Sequence, residues 1–499
     1  MKIQHIHIYV IAACMFFAGC YKDKNNYIVD DVNEAQITTS TDDYAVMQLS
    51  ELSIVPEITS SLHDKDSYTY EWKVIAPKEG NDYTGRVSYS EILSTAKDLK
   101  EVIFTPAGKY VLLYTVTNAT TGIKNFKAFN LTVNSGFYKG LVVGYQKGNQ
   151  AEMGFIREDG ELGYDLIQTL NEEALQGDLQ KVNTLIVNSL RRMAITTSTN
   201  HYQVDMDEFK ILQSKNSLFN TTPVSFGNSY FGGNKMGAPY DGPSDVYYIN
   251  NGKLQADMGP DFGGSMAGMY SQEFYYASGD YSLFPFLFNG NGAATIYFYD
   301  NLNGKFLQTG YNARTLTDVP RHAADKFDPS TVKKTAVAAM LGYDNNVYYV
   351  MQDGSDYYLY TMIQYNAHRA GASQMVNLSN APDFAQARIF DARTDQRYIY
   401  YAVNNKLYLY NLTANSAQLV LTLAAGEEIA DIHIYKTNMW QNTTDDTFNK
   451  RIYVASNRGD KGTVYQYGLL ADGGLSNSSE KVFEGFGRIV DLDYRNAND

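Results

Sequence analysis

From about residue 136 onward, short hydrophobic runs recur along the chain, each followed by a polar turn and a second run. The segments 246–254 and 399–408 share this pattern closely, and successive runs are about fifty residues apart, as in the four-stranded blades of β-propellers. The seven runs begin at Leu141, Ala194, Val246, Ile296, Val347, Ile399 and Ile452. The pattern predicts a seven-bladed β-propeller over residues 136–499, with six or eight blades as alternatives because the third and fourth units are irregular.

The end of the chain contains one more strand than its own unit needs. The last unit has four strand-like segments in order, and residues 488–494 follow them with no later partner. The first unit, beginning near Leu141, has no strand before it. We therefore expect the C-terminal strand to complete the first blade, which would remove the open edges of the ring.

Residues 28–135 show a different arrangement, in which short strands of period two alternate with turns. Tyr68, Tyr70, Trp72 and Val74 share one face of a strand, and the segments 108–118 and 126–133 flank a turn as a hairpin would. An aromatic ring in the middle of such a strand is typical of a core, so Trp72 is interpreted as structural. The pattern predicts a small, separate β-sandwich.

This sandwich carries the signs of a known family. The Tyr-x-Trp strand at 70–72 is followed by Gly-x-Tyr at 108–110 and by Val-Thr-Asn at 116–118. This combination resembles PKD domains, and especially the PKD-like domain of Bacteroidetes lipoproteins. The resemblance implies an immunoglobulin-like fold that acts as a spacer or contact module and holds the propeller away from a membrane.

The N-terminus has the features of an export signal. Lys2 precedes an apolar run at 8–17, which is too short to span a bilayer, and the run ends in Phe-Ala-Gly-Cys at 17–20. This ending resembles a lipobox, which implies that residues 1–19 are a signal peptide and that Cys20 is lipidated. Residues 20–27 form a polar tether, which resembles the signals of outward-facing lipoproteins in the outer membrane of Bacteroidetes. We expect the protein to be anchored there, facing outward.

Composition narrows the class of fold and the kind of partner. The chain contains 42 tyrosines and 39 glycines but 11 prolines, which favours strands and tight turns. Its formal net charge is −14, whereas nucleic-acid binding depends on clustered lysine and arginine. We expect an all-β protein that does not bind nucleic acid.

The sequence contains no recognisable catalytic or metal-binding motif. The histidines downstream of residue 20 are far apart and lack the His-x-x-x-His spacing of metal sites. The segment 264–268 lacks the Gly-x-Ser-x-Gly spacing of a nucleophile elbow. The sequence therefore predicts a binding protein rather than an enzyme, with no catalytic residue, no metal and no cofactor.

Three inserts interrupt the repeats, at 228–241, 259–270 and 436–449. The first two combine glycines with aromatic side chains, and the third carries Trp440 among polar residues. Such loops suit ligand recognition, although aromatics can also fold down and become buried. The candidate ligand-binding residues are Trp440, Tyr230, Phe231, Asn234, Tyr240, Phe262 and Tyr270.

Three functions are consistent with these features. The first, implied by the family resemblance, is a surface lipoprotein that binds a nutrient ligand (a glycan, a peptide or a metal complex) and serves a TonB-dependent transporter in the outer membrane. The alternative is an adhesion or protein-interaction lipoprotein without a small-molecule ligand. The third is a propeller hydrolase or lyase, which requires acid, base or metal groups that converge in the centre of the ring.

Overall fold

A computed structural model describes residues 33–62, 67–77, 87–187, 190–233, 246–257, 269–290, 295–310, 313–364, 366, 368–436 and 447–496. Within these residues the chain forms two units. The first contains residues up to Tyr44 together with Leu52–Glu101 and Lys109–Leu131. The second contains Ala45–Glu51, Val102–Gly108 and the chain from Thr132 onward. The predicted signal peptide, the predicted tether and Cys20 lie outside the described residues.

The first nine strands form the predicted sandwich. A five-stranded sheet has the order β2-β9-β8-β5-β6, and two smaller sheets pair β1 with β4 and β3 with β7. The strands are β1 Ala35–Thr38, β2 Asp43–Met47, β3 Glu51–Ile54, β4 Glu57–Ser60, β5 Tyr68–Pro77, β6 Val87–Ser94, β7 Leu99–Val102, β8 Gly108–Asn118 and β9 Lys124–Asn134.

Trp72 lies in the core of this sandwich, as the period-two pattern predicts. Its side chain is fully buried and stacks on Tyr114 with ring centroids 4.0 Å apart. The indole N–H donates to the carbonyl oxygen of Ala96 at 3.1 Å, so the polar atom of the ring is satisfied. The interpretation of Trp72 as a structural residue is confirmed.

The rest of the described chain forms seven sheets, which we number as blades. Blade 1 contains β10 Lys139–Lys147, β11 Gln150–Arg157, β12 Leu162–Gly163 and β37 Arg488–Asn496; blade 2 contains β13 Leu179–Val187, β14 Leu190–Thr197, β15 His201–Asp205 and β16 Ile211–Ser214; blade 3 contains β17 Ser229–Gly233, β18 Val246–Asn250 and β19 Lys253–Asp257. Two short helices, α1 Leu166–Leu170 and α2 Lys215–Leu218, follow β12 and β16.

The four remaining blades complete the ring. Blade 4 contains β20 Tyr275–Tyr276, β21 Phe288–Asn289, β22 Thr295–Asp300, β23 Lys305–Gly310 and β24 Thr315–Asp318; blade 5 contains β25 Thr335–Leu341, β26 Val347–Asp353, β27 Asp356–Met362 and β28 Ala370–Met375. Blade 6 contains β29 Ile389–Ala392, β30 Tyr398–Val403, β31 Lys406–Asn411 and β32 Ser416–Thr422; blade 7 contains β33 Glu428–Ile434, β34 Arg451–Arg458, β35 Lys461–Leu469 and β36 Leu475–Phe486. Three short 3₁₀ helices lie at Tyr343–Asn345, Leu378–Asn380 and Phe384–Gln386. The predicted fold class, an immunoglobulin-like sandwich followed by a seven-bladed propeller, is confirmed.

The recurring hydrophobic runs have a simple physical origin, which β30 illustrates. Its residues alternate in direction, so Ile399 and Tyr401 pack in an apolar cluster with blade 5, whereas Tyr400 and Ala402 pack in one with blade 7. A strand that is buried on both faces needs apolar side chains at every position. Each pair of neighbouring blades shares such a cluster.

The C-terminal strand completes blade 1, as predicted. β37 pairs antiparallel with β10, with Tyr494 opposite Leu141 and Leu492 opposite Val143. It occupies the edge of its sheet that faces the centre of the ring, where it contacts β13 of blade 2 and β33 of blade 7. The first and last segments of the propeller are therefore joined by a complete strand ladder.

Candidate functional site

A central cavity of about 600 Å³ lies where the inner strands of the seven blades meet. Each blade contributes to its lining from its innermost strand or from the segment next to it, which are β37, β13, β17, residues 284–289, β25, β29 and β33. Because side chains alternate along each strand, every second residue of these strands is directed at the cavity. Its volume falls in the range of about 300–1,000 Å³ that is usual for small-molecule sites.

One side of the central cavity is apolar. Tyr230 from blade 3 lies against Phe286 from blade 4, with ring centroids 5.4 Å apart. Alternate residues of β25 extend this surface with small aliphatic groups. We call this set the apolar wall: Tyr230, Phe284, Phe286, Val337, Ala339 and Leu341.

The opposite side is charged. The charged wall consists of residues from blades 2, 6, 7 and 1: Lys181, Arg388, Asp391, Asp431, His433, Lys436 and Asp493. The ammonium of Lys181 lies 2.6 Å from the Oδ1 atom of Asp491, and Lys436 forms an ion pair with Asp391. These two pairs neutralise both lysines.

The aspartates also connect neighbouring blades. An inner strand has one edge without a strand partner, so its backbone N–H groups need other acceptors. In the charged half of the ring the acceptors are carboxylate oxygens of the preceding blade. Asp391 accepts from the N–H of Ile434 at 2.7 Å, Asp431 from Leu492 at 2.8 Å, Asp491 from Val182 at 2.7 Å and Asp493 from Thr184 at 2.5 Å.

Burial and mutual proximity shift the ionisation of this group. Burial and the neighbouring carboxylate of Asp491 raise the pKa of Asp431 well above its ordinary value, although Lys181 opposes this. Burial lowers the pKa of His433, so its imidazole tends to be neutral. Burial, together with the charge of Asp493, raises the pKa of Tyr230 to about 12. The central cavity therefore contains a neutral histidine, a protonated tyrosine and a carboxyl group that is easily protonated.

Of the candidate residues taken from the inserts, the structure places Tyr230 in the central cavity. Phe231, its neighbour in β17, borders the same cavity, but its ring is buried in the apolar cluster between blades 2 and 3. Asn234, Tyr240, Phe262 and Trp440 lie outside the described residues. Their predicted roles stay predictions.

The side chain of Tyr270 is fully buried. The expectation that its ring is exposed to a ligand is therefore corrected, and the same correction applies to the ring of Phe231. Its hydroxyl lies 3.1 Å from the Nε2 atom of His201 and accepts a hydrogen bond from Gln203 at 3.0 Å. Burial lowers the pKa of His201 to about 3, which keeps the imidazole neutral inside this network. The alternative left open by the sequence, an aromatic folded down on the propeller, is the observed one.

The aspartates of the charged wall were missed by the reasoning from sequence, although a signal for three of the four bridging carboxylates was present. An Ile-x-Asp triplet occurs at 389–391, 429–431 and 489–491, at the same place in the inner strands of blades 6, 7 and 1. Read one at a time, these aspartates look like ordinary polar positions. Their recurrence in one strand of successive blades indicates a shared role at the centre of the ring.

One family model matches the N-terminal part of the chain. Residues 20–178 match the model of the PKD-like family. This PKD-like match begins at Cys20 and extends past the predicted end of the sandwich at residue 135, through β12 and α1. No curated protein gave a significant match. No helix among the described residues is long and apolar enough to cross a membrane.

Two solved structures are similar over much of the chain. A quinonprotein alcohol dehydrogenase-like protein from Bacteroides thetaiotaomicron has a TM-score of 0.48 and 15% identity, covering 92% of this chain and 99% of that chain. YCF48 from Cyanidioschyzon merolae has a TM-score of 0.37 and 10% identity, and the match covers 64% of this chain and 94% of that chain. The assignment of the fold given above rests on the strand order and pairing.

Proposed function

We propose that this chain is a surface-exposed lipoprotein of the outer membrane whose propeller binds a small nutrient ligand in its central cavity and delivers it to a TonB-dependent transporter. The observation that carries the proposal is the construction of the cavity, in which an apolar wall faces a charged wall. Such a combination of hydrophobic surface with a few fixed polar groups is typical of small-molecule sites.

The same observation favours ligand capture over adhesion. A stable protein–protein interface buries about 800 Å² on each partner and is formed by an extended outer surface. Here the aromatic and charged side chains of the inner strands converge on a concave volume of about 600 Å³ instead. A glycan or a peptide fragment of moderate size would fit there.

The anchoring part of the proposal rests on the lipobox-like ending at Cys20 and on the PKD-like match that begins at the same residue. We expect the Cys20→Ser variant to leave the membrane fraction, because acyl chains would be its anchor. The measurement is fractionation of cells after a high-salt wash. Retention of the variant in washed membranes would contradict lipid anchoring through Cys20.

The binding part is tested with the mature Cys20→Ser chain. It is screened against glycans, peptides and metal chelates, and the affinity for each hit is then measured in single variants. We expect Phe286→Ala and Tyr230→Ala to weaken binding by about 1 kcal/mol or more each, since both rings belong to the apolar wall.

The matched control is Tyr275→Ala. Tyr275 is an exposed tyrosine of blade 4 that lies beside a second, smaller cavity of about 350 Å³ rather than the central one. Affinity that falls with Tyr275→Ala but not with the two central variants would place the ligand outside the central cavity and contradict the proposal.

A further inference from the structure

The charges that line the central cavity are balanced. Among the described residues, the lining contains three basic and three acidic side chains: Lys181, Arg388, Lys436, Asp391, Asp431 and Asp493. Lys436 is paired with Asp391, and Lys181 is paired with Asp491, which does not itself line the cavity. Lys181 also attracts Asp431 and Asp493. The cavity therefore presents no surplus charge of either sign to a ligand.

A balanced cavity disfavours a charged ligand. The additional carboxyl group of Asp491 is offset, because burial and that neighbouring carboxylate raise the pKa of Asp431 and favour a proton there. A charged ligand would lose its hydration in the cavity without meeting a surplus of opposite charge, and such desolvation is costly. The described residues contain no group of three or more histidine, cysteine, aspartate or glutamate side chains placed to hold a metal ion. These properties favour an uncharged organic ligand.

Two carboxyl groups of the charged wall keep hydrogen-bonding capacity for such a ligand. Asp431 accepts one backbone N–H on each oxygen, from Ile432 and Leu492. Asp493 accepts from two backbone N–H groups and from the Thr184 hydroxyl. A carboxylate has about four acceptor positions, so each group has capacity left over. The backbone bonds hold both groups in fixed orientations, and the remaining positions can accept from O–H groups of a ligand.

Two uncharged donors line the same cavity. The Oδ1 atom of Asn183, in β13, accepts the N–H of Phe231 at 3.0 Å, which fixes the side-chain amide, and its Nδ2 group has no hydrogen-bond partner among the described residues. The Tyr230 hydroxyl likewise has no such partner in the described part of the chain, and it interacts electrostatically with Asp493 and Lys181 of the charged wall. Burial raises the pKa of Tyr230 to about 12, so the hydroxyl keeps its proton. The cavity therefore combines neutral donors with fixed acceptors.

The apolar wall offers a platform for a ring. Tyr230 and Phe286 have ring centroids 5.4 Å apart, and both side chains are partly exposed. The face of an aromatic ring carries partial negative charge, whereas the C–H groups on the face of a saturated sugar ring carry partial positive charge. Stacking of the two leaves the hydroxyl groups at the edge of the sugar ring, where the donors and acceptors of the cavity can bind them. The site therefore suits a saturated ring with several hydroxyl groups.

An extended peptide fits this arrangement less well. Such a ligand commonly binds by adding its backbone to the free edge of a strand. In the charged half of the ring those edges are occupied, since aspartate carboxylates of one blade accept the N–H groups of Ile434, Leu492 and Val182 in the next. Recognition there depends on side chains instead. Ligand hydroxyl groups can satisfy these side chains, because a hydroxyl both donates and accepts.

Taking the proposed function as its basis, we propose that the ligand of the central cavity is an uncharged saccharide. A sugar ring stacks on Tyr230 and Phe286. Its hydroxyl groups donate to Asp431 and Asp493 and accept from Asn183 and from the Tyr230 hydroxyl. Saccharides that carry carboxylate or ammonium groups are disfavoured by the balanced charge of the lining. The volume of about 600 Å³ limits the bound part to a short oligosaccharide or to the end of a longer chain.

The test compares trisaccharides that differ in charge, by isothermal titration calorimetry on the mature Cys20→Ser chain at pH 6. The uncharged probes are maltotriose, cellotriose, mannotriose and galactotriose; the anionic probe is trigalacturonate, and the cationic probe is the trimer of glucosamine. We expect at least one uncharged probe to bind at least tenfold more tightly than both charged probes. Equal or tighter binding of a charged probe would overturn the proposal, and so would a failure of all the uncharged probes to bind.

Two variants test the polar contacts with the tightest uncharged probe. Tyr230→Phe keeps the ring and removes only the hydroxyl, so binding should weaken about threefold or more. Asp493→Asn removes a charged acceptor, and we expect a loss of at least tenfold; Tyr230→Phe covers the case in which this variant fails to fold. The matched controls, Tyr275→Phe beside the smaller cavity and Asp460→Asn in an exposed turn, should bind as the parent does. Unchanged affinity in both central variants would overturn the assignment of these contacts.

The outcomes separate this inference from the proposed function. If no uncharged probe binds while a peptide or metal-chelate hit of the screen is weakened by Phe286→Ala, the saccharide class is wrong and the cavity remains the binding site. The same holds if a charged probe binds most tightly and its binding depends on Phe286. If neither the probes nor any hit of the screen responds to the cavity variants, both proposals are wrong.

Discussion

Deletion of residues 488–499 should abolish cooperative folding of the propeller. The deletion removes β37, which pairs with β10 from Lys139↔Asn496 to Gln146↔Arg488. It also removes Ile489, Leu492 and Tyr494 from the apolar cluster between blades 7 and 1. Thermal unfolding followed by circular dichroism should show a broad transition, or none, in place of a single sharp one.

The control is a deletion of similar length at residues 437–446, within the predicted insert of blade 7. It leaves every described strand and the Lys436–Asp391 ion pair in place. We expect a single transition close to that of the parent protein. If the two deletions broaden or abolish the thermal transition equally, closure through β37 is not what stabilises the ring.

Asp491→Ala should lower the free energy of unfolding by about 3 kcal/mol or more. The substitution leaves the ammonium of Lys181 without its nearest carboxylate and the N–H of Val182 without its acceptor. Removing one partner of a buried ion pair typically costs about 3–5 kcal/mol. We expect a value at the lower end, because the Lys181 side chain keeps 34% of its surface exposed whereas Asp491 keeps 7%.

The matched control is Asp353→Ala. Asp353 lies 2.7 Å from Lys334, but its side chain is 55% exposed, and such surface pairs contribute about 0–1 kcal/mol. Both variants are compared by urea denaturation at pH 7. A similar decrease in the free energy of unfolding for the two variants would show that Asp491 acts as a surface charge rather than as a bridge between blades 1 and 2.

The repeat and the closure of the ring could be predicted from sequence because a strand that is buried on both faces produces a recognisable local hydrophobic pattern. A strand such as β30 is apolar at every position, and the same local pattern returns in each blade. Closure followed from counting strands, since the segment 488–494 had no local partner. Both conclusions need only the periodicity of the chain and the rule that sheet edges are paired.

The central cavity could not be predicted in this way. Lys181 and Asp491 are about three hundred residues apart and meet only because the ring closes. Each aspartate of the charged wall alternates with apolar residues, as a solvent-facing position would. Tyr230 was selected as an exposed loop residue, whereas it lies on a strand and lines the cavity.

The burial of Tyr270 shows a second limit of sequence reasoning. Its ring packs against Tyr248 of blade 3 and its hydroxyl lies beside His201 of blade 2, a partner that no pattern near residue 270 indicates. An insert rich in glycine and aromatic residues is compatible with recognition and with packing, and the tertiary contacts decide between them. The rings of Tyr270 and Phe231 are packed in the apolar cluster between blades 2 and 3.

The central claim of this account is that the cavity at the centre of the ring is the ligand site. It is tested most directly by a crystal structure of the mature chain with the tightest-binding ligand from the screen. We expect the ligand between the two walls, with its apolar part on Phe286 and Tyr230 and its polar group at Asp431 and Asp493. A ligand found instead in the smaller cavity beside Tyr275 and Arg314, or on the outer surface, with the central cavity empty, would contradict the claim.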